Sequence, residues 1–345
     1  MRDAGTSARP IGVMARALAF AAVAAVPAAA QTMDIYWIDV EGGGATLVVS
    51  PSGESMLVDT GWPRPEGRDA ARIVAAMEDA GLEKLDYMLI THFHTDHVGS
   101  LAELAGMVEI ETYLDHGGET EERNQQWRDV YLETAGDARL VAGAGDVLSM
   151  GDVEVRMISS NMELIAEPIN DGGPNPHCAG AENRPAASPE NQRTLGALFS
   201  YGGFRFVDLG DLDWDMEMRL SCPVNRLGTV TVYQTSRHGA FDGAGAPAHL
   251  WAIEPQVVVV NNGPRKGITA PHHYDRITEV PGVEGIWQTH LALEAEGHNT
   301  DEDMIANFED TDECQGHWLK ASVQADGTYT MTNGRHGYSR TYTAR

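Results

Sequence analysis

From Asp34 to Val40 the chain carries an apolar-rich alternation through Ile35, Tyr36, Trp37 and Ile38, the pattern of a β-strand. Gly42-Gly43-Gly44 and a second apolar run, Ala45 to Val49, complete a predicted β-hairpin. After the turn residues Ser50-Pro51-Ser52-Gly53, Ser55 to Val58 reads as a strand that ends in Asp59-Thr60-Gly61. Helical spacing through Ala71, Val74, Ala75 and Met77 predicts a helix over 68–80, stopped by Gly81. Leu85 to Ile90 is an apolar strand that runs straight into Thr91-His92-Phe93-His94-Thr95-Asp96-His97, and a short helix is expected over 98–105.

The stretch from Ile169 to Gln192 is rich in Pro, Gly, Asn and Ala and predicts a long loop, a kind of segment that is often functional in compact domains. Leu195 to Tyr201, a Gly202-Gly203 turn and Phe204 to Leu209 form a strand pair that leads into Gly210-Asp211. Val230 to Gln234 and Val257 to Val260 are two more strands, and a last hairpin is expected around Gln324 to Gly327. Strands, helix, strand, a histidine-rich turn and a second set of strands suit two packed sheets with helices outside. No internal repeat or strong linker divides the chain.

The N-terminus follows a different pattern. Arg2, Arg9 and Arg16 precede an apolar run from Ala17 to Val26; Pro27 breaks it, and Ala28-Ala29-Ala30 supplies small residues before Gln31. This layout predicts a signal peptide over 1–30, with Met14 as an alternative start. The run is too short for a permanent membrane anchor, so a periplasmic or secreted protein is expected, with its domain over 31–345. The net charge of −27 repels polyanions and argues against a broad nucleic-acid surface. A small-molecule substrate is expected instead; the oligomeric state is left open. Three cysteines, Cys178, Cys222 and Cys314, allow one disulfide in an oxidising compartment, with the pairing open.

The densest chemistry is the run from His92 to His97. His92, His94, Asp96 and His97 are four good metal ligands within six positions, and imidazole with carboxylate suits Zn²⁺, with Mn²⁺ or Fe as alternatives. This is the His-x-His-x-Asp-His motif, and the chain resembles the metallo-β-lactamase superfamily from about Asp34 to Val260. The resemblance implies an αββα sandwich, a fold of the α/β class, with two mixed sheets flanked by helices. It also implies a supporting role for Asp59, a carboxylate shared by two metals at Asp211, and a late metal ligand at His238, all read as belonging to one metal-dependent hydrolase. The last part of the chain, beyond the resemblance, reads as a C-terminal extension.

One position departs from that pattern. The further histidine usual before the shared Asp is missing, and the region reads Pro189-Glu190-Asn191-Gln192-Arg193-Thr194-Leu195. In this the chain looks like the hydrolase domains of ComEC-type competence proteins. The first of the two metal positions would then hold His92, His94 and Asp211, with water, Asn191 or the loop residue His177 completing it. Arg237, where a His is common, and Lys266 with Arg265 in the turn after Val260 are candidate anchors for an anionic substrate group. Trp287 to His290 and His298-Asn299 are weaker candidates for lining the pocket.

Neither a Gly-x-Ser-x-Gly elbow nor a cysteine in a catalytic context appears. The expected chemistry is metal-assisted hydrolysis of a small ester, lactone or amide, a β-lactam among them, with one or two Zn²⁺ ions and Asp96 orienting the nucleophile. The alternative is a phosphodiesterase or nuclease like the ComEC-type domains; a metal-binding protein without turnover is the third reading.

Overall fold

The computed structural model describes residues 32–186 and 188–345; the expected signal peptide lies outside them. The chain opens on six strands: β1 (Met33–Trp37), β2 (Thr46–Val49), β3 (Ser55–Val58), β4 (Lys84–Leu89), β5 (Glu109–Asp115) and β6 (Arg139–Val141). A second sheet takes up β7 (Val147–Met150), β8 (Val153–Ser160), β9 (Glu163–Leu164), β10 (Gly196–Tyr201), β11 (Phe204–Asp208), β12 (Val232–Gln234), β13 (Val257–Val260), β14 (Gly285–His290) and β15 (Ile305–Asn307). The chain then returns to the first sheet as β16 (Leu319–Val323), β17 (Thr328–Asn333) and β18 (Ser339–Thr343), with the expected hairpin turn at 324–327. The C-terminal segment is therefore an integral part of the fold, since β16 pairs with β1 and the first sheet runs β18-β17-β16-β1-β2-β3-β4-β5-β6.

Strand alternation explains the layering. Ile35 and Trp37 of β1 face the core between the two sheets, joined there by Val257 and Val259 of β13. The next residues point the other way. Tyr36 and Leu47 meet α1 (Arg68–Asp79), α2 (Thr95–Val98), α3 (Leu101–Ala105) and α4 (Gln125–Ala135) on one outer face. Beyond the short α5 (Pro189–Gln192), Val258 and Val260 meet α6 (Trp214–Ser221), α7 (Pro247–Ile253) and α8 (Pro271–Thr278) on the other. A run of four valines is buried on both faces, as a central parallel strand requires. Three apolar layers make an αββα sandwich of two mixed sheets, the architecture expected from the sequence.

Three local expectations are corrected. Helix α1 buries Ala70, Ile73, Ala76 and Met77, while Ala71 and Ala75 are exposed and Val74 is half-buried. In an alanine-rich helix two neighbouring stripes look equally apolar, and the bulkier Ile73 and Met77 decide which one packs. The helix expected over 98–105 is two short helices, and the first begins inside the histidine motif at Thr95. The 169–192 loop is tied down by a Cys178–Cys222 disulfide and a bridge between Pro174 and Val224, leaving Cys314 as the free, buried thiol. Among the described residues no helix is long and apolar enough to cross a membrane.

Candidate metal centre

Parallel strands deliver the site. β3, β4 and β5 run parallel in one sheet, as do β11, β12, β13 and β14 in the other. Just past their C-terminal ends come Asp59 after β3, His92 to His97 after β4, Asp211 after β11, His238 after β12 and Lys266 after β13. Residues from both sheets thereby meet at one rim. Two ligand clusters form there: Asp96, His97, Asp211 and His238, all buried, and His92, His94 and Asp211. Asp211 belongs to both.

The geometry fits a cation. His97 Nε2 lies 3.4 Å from Asp96 Oδ2 and 3.2 Å from Asp211 Oδ1. His238 Nε2 lies 3.2 Å from each of the same two oxygens. Four ligands around a tetrahedral Zn²⁺, at bond lengths near 2.0–2.2 Å, stand about 3.3–3.5 Å apart. Asp96 Oδ2 is engaged by Lys266, while His97 Nε2, His238 Nε2 and Asp211 Oδ1 are buried and make no well-directed hydrogen bond. Buried polar atoms left unpaired are costly, and a shared divalent ion satisfies all three. In the first cluster, that of His92, His94 and Asp211, His92 Nε2 and His94 Nδ1 are 2.9 Å apart, with nitrogens facing each other.

The electrostatics point the same way. Burial alone raises the Asp211 carboxyl, but His238 and His97 outweigh it and hold it well below the usual carboxylate range. Burial likewise opposes ionisation of Asp96, and the Lys266 ammonium and His97 overcome it, again well below the usual range. Burial disfavours a protonated His97, yet the carboxylates of Asp211, Asp59 and Asp96 push it well above the ordinary histidine value. His92 is held well below it, by burial first and then by the neighbouring His97 and His94. Such a crowd of carboxylates and imidazoles binds a metal in place of protons.

Asp59 supports the site from beneath. Its Oδ2 takes the His97 Nδ1 proton at 2.6 Å and the Thr91 hydroxyl at 2.7 Å, while Oδ1 accepts the Thr91 amide at 2.8 Å. That fixes the His97 tautomer and aims Nε2 at the ligand cluster. Three site residues pay backbone strain: Asp59, Arg237 and His238 have φ of 62°, 50° and 58°, a region that disfavours side chains other than glycine by about 1–2 kcal/mol. Gly44 is required by close approach, because a Cβ there would lie 2.8 Å from Asp59 Oδ2 and 2.9 Å from His97 Nδ1. The glycine run expected as a simple hairpin turn is thus a wall of the centre, and Gly44 N donates to Asp96 O at 3.0 Å.

The remaining candidates divide. Lys266 reaches the centre: its ammonium is ion-paired with Asp96 Oδ2 and stands 4.8 Å over the Trp62 ring. Arg265 turns away to Asp310 at 2.8 Å, so the pair does not act as one anion clamp. Arg237 is half-buried and 3.7 Å from Asp242, although its amide docks on Gly210 O at 3.1 Å. Asn191 is buried with its Oδ1 unpartnered. His177 is exposed beside the disulfide and joins neither ligand cluster. Trp287 is core, and Gln288 is occupied by Asn299.

Two residues at the site were not singled out in the sequence. Glu190 Oε1 accepts the Phe93 amide at 2.8 Å, between His92 and His94, and Oε2 accepts the Thr120 hydroxyl at 2.7 Å. Arg123 Nη2 lies 3.3 Å from His94 Nε2. Neither belongs to a local motif, and only the acidic residue next to Asn191 gave any hint. The cleft beside Lys266, about 490 Å³, is lined by Trp62, Arg64, Lys266 and Asp312 among others.

The chain is similar to several known proteins. The family model of the metallo-beta-lactamase superfamily matches residues 39–106, a span that holds Asp59 and the whole histidine motif. The chain is 26% identical over 223 residues to a metal-dependent hydrolase of Anaeromyxobacter sp. (strain K), covering 63% of this chain and 71% of that protein. It is 34% identical over 92 residues to a hydroxyacylglutathione hydrolase of Rhodopseudomonas palustris (strain HaA2), covering 27% of this chain and 31% of the relative. The metallo-beta-lactamase fold protein YhfI from Bacillus subtilis superposes with a TM-score of 0.47 at 11% identity, over 75% of this chain and 96% of its own.

Proposed function

We propose, for a chain that is a metal-dependent hydrolase of the metallo-beta-lactamase superfamily, that it is exported and cleaves a small ester, lactone or amide, a β-lactam among them. The observation that carries the reading is the pair of ligand clusters sharing Asp211. Two Zn²⁺ ions would sit there, one held by Asp96, His97, Asp211 and His238, the other by His92, His94 and Asp211 with Asn191 Oδ1 or water as a further ligand. Bound metal supplies a water that ionises near neutral pH and an electrophile for the substrate oxygen.

The chain's own residues do the rest. Asp59 holds the His97 Nδ1 proton and so keeps Nε2 free for ligation. Asp96 would orient a metal-bound water, and Lys266 with His97 keeps it ionised against burial. When a substrate enters, the Lys266 ammonium faces its anionic group and Trp62 its apolar body, since both line the cleft. A small cleft and a strongly acidic chain favour such a molecule over a polyanion. The acylated glutathione in the name of one relative supports the acyl class. Export is supported by the Cys178–Cys222 disulfide, a bond of oxidising compartments.

The test is turnover by the Zn²⁺-loaded protein of ester, lactone, β-lactam and amide chromogens, set beside a bis-aryl phosphodiester and single-stranded DNA with Mn²⁺. Acyl turnover that disappears in Asp96→Asn supports the proposal. Phosphodiester turnover alone moves the function to the ComEC-like alternative, and full acyl turnover in Asp96→Asn sinks the role given to Asp96.

A further inference from the structure

A second group of metal-type donors converges away from the hydrolytic centre. Asp39 follows β1 in the first sheet, His290 ends β14 in the second, and Cys314 lies between β15 and β16. A carboxylate oxygen, an imidazole nitrogen and the thiol sulfur of these three buried residues all lie within 4.8 Å of one another. No ligand is shared with the clusters around Asp211, and the hydrolytic reading leaves this trio without a task.

Its surroundings are rich in acceptors. Asp39 Oδ1 takes the Glu41 amide at 2.8 Å. Its Oδ2 accepts the Cys314 thiol at a long 3.9 Å and faces the Arg72 Nη1 at 4.0 Å, weak partners for a buried carboxylate oxygen. The two nitrogens of His290 face backbone carbonyls, Leu291 at 3.0 Å and Glu309 at 3.3 Å. Burial disfavours a charged ring, but Cys314, Asp39 and the Leu291 carbonyl outweigh it and raise His290 to about 9, so the ring donates to both carbonyls and a metal would take the place of a proton. The Cys314 sulfur has Asn307 Oδ1, another acceptor, at 3.9 Å. A metal ion bound among them would replace the His290 and Cys314 protons and pair with the Asp39 charge.

The donor set selects its class. Thiolate, imidazole and carboxylate together suit Zn²⁺ and its borderline-soft neighbours and disfavour Mg²⁺ or Ca²⁺. Tetrahedral Zn²⁺ with Zn–S near 2.3 Å and Zn–O near 2.0–2.2 Å places sulfur and oxygen about 3.5–3.7 Å apart. The observed 3.9 Å closes to that by a few tenths of an ångström. Access exists, because Cys314 with Arg72, Gly316 and Trp318 lines an open cleft of about 760 Å³.

We propose that Asp39, His290 and Cys314 form a separate transition-metal site that staples the two sheets together. On binding, the Cys314 proton leaves to solvent and the sulfur–metal bond forms, with no change of oxidation state. Cys178 and Cys222 are consumed by their disulfide and the chain has three cysteines, so a thiolate–metal bond can come from Cys314 alone. The test is Co²⁺ loading of the metal-free full chain, followed by near-ultraviolet absorption. A thiolate-to-cobalt charge-transfer band is expected in the wild type and in Asp211→Asn, where the hydrolytic centre is crippled. It should vanish in Cys314→Ser and weaken in His290→Ala. The absence of a band in saturated wild-type protein, or its survival in Cys314→Ser, overturns the proposal. Retention in Asp211→Asn separates this site from the fate of the hydrolase reading.

Discussion

The Phe93 amide donates to the Glu190 carboxylate at 2.8 Å across 97 positions of sequence. Phe93 sits between His92 and His94, so this one bond fixes the backbone that carries both imidazoles of the first cluster. Glu190 is in turn gripped by the Thr120 hydroxyl and faced by His116 at 3.8 Å. The segment where a ligand histidine was missed in the sequence thus braces the ligands through Glu190.

Glu190→Ala should leave the buried Phe93 amide without a partner, at a cost of about 1–3 kcal/mol. Burial raises the Glu190 carboxyl, but bonds from His116, Thr120 and the Phe93 amide prevail and bring it down to about 2 from 4.5. Its stabilising contribution is therefore complete above pH 4.5 and drains away as pH falls toward 2. Urea midpoints of wild type and Glu190→Gln should converge between pH 5 and pH 3. A gap that stays constant over that range would contradict the assignment.

Gly44→Ala should disturb the centre without touching a ligand, since its methyl would press on Asp59 Oδ2 and His97 Nδ1. Asp59→Ala should do the same by freeing the His97 ring. Loss of such a supporting contact typically costs 10–100-fold in metal affinity. Competition with a fluorescent Zn²⁺ chelator measures it. Unchanged affinity in both variants would show that His97 is held by something other than Asp59.

Periodicity made most of the sandwich legible, because β3, β10, β11 and β13 are buried on one or both faces and keep strong apolar runs. It failed where edges are exposed: β6 and β7 expose Leu140, Val141 and Val147, so no alternation marks them. The candidate ligands were legible because four of them are packed into six positions, and Asp211 and His238 through the family resemblance. Arg123, Glu190 and Gly44 were not, since each acts through a contact made only on folding. Lys266 was visible and Arg265 misleading for the same reason: adjacent cations look alike until one finds Asp96 and the other Asp310.

Glu217 gives a pH response of opposite sign. Burial pushes its carboxyl up to about 7 from 4.5; Oε2 accepts the Ala246 amide at 2.9 Å and Oε1 has no partner. It is protonated in the folded chain below about pH 7, so its contribution is complete below pH 4.5 and is lost as pH rises through about 7. Glu217→Gln keeps the neutral shape and removes the titration. The variant should gain on the wild type between pH 5 and pH 8, by on the order of 3 kcal/mol at most. Parallel pH profiles for the two proteins would refute a neutral Glu217.

Because Asp211 serves both clusters while His94 and His238 serve one each, metal counting can dissect the centre. The wild type should carry about two Zn²⁺ in the centre, counted with Cys314→Ser in the background so that the proposed thiolate site does not contribute. His94→Ala should keep the ion of the Asp96–His97–His238 cluster and lose its neighbour. His238→Ala should weaken the other ion, and Asp211→Asn should weaken both, because an amide supplies one neutral oxygen where the carboxylate would serve both clusters. Inductively coupled plasma mass spectrometry after dialysis against a weak chelator reads the stoichiometry. If Asp211→Asn held two equivalents as tightly as the wild type, Asp211 would not be the shared ligand. If His94→Ala and the wild type each held one, the first cluster would stay empty, and hydrolysis would rest on a single metal beside Asp96.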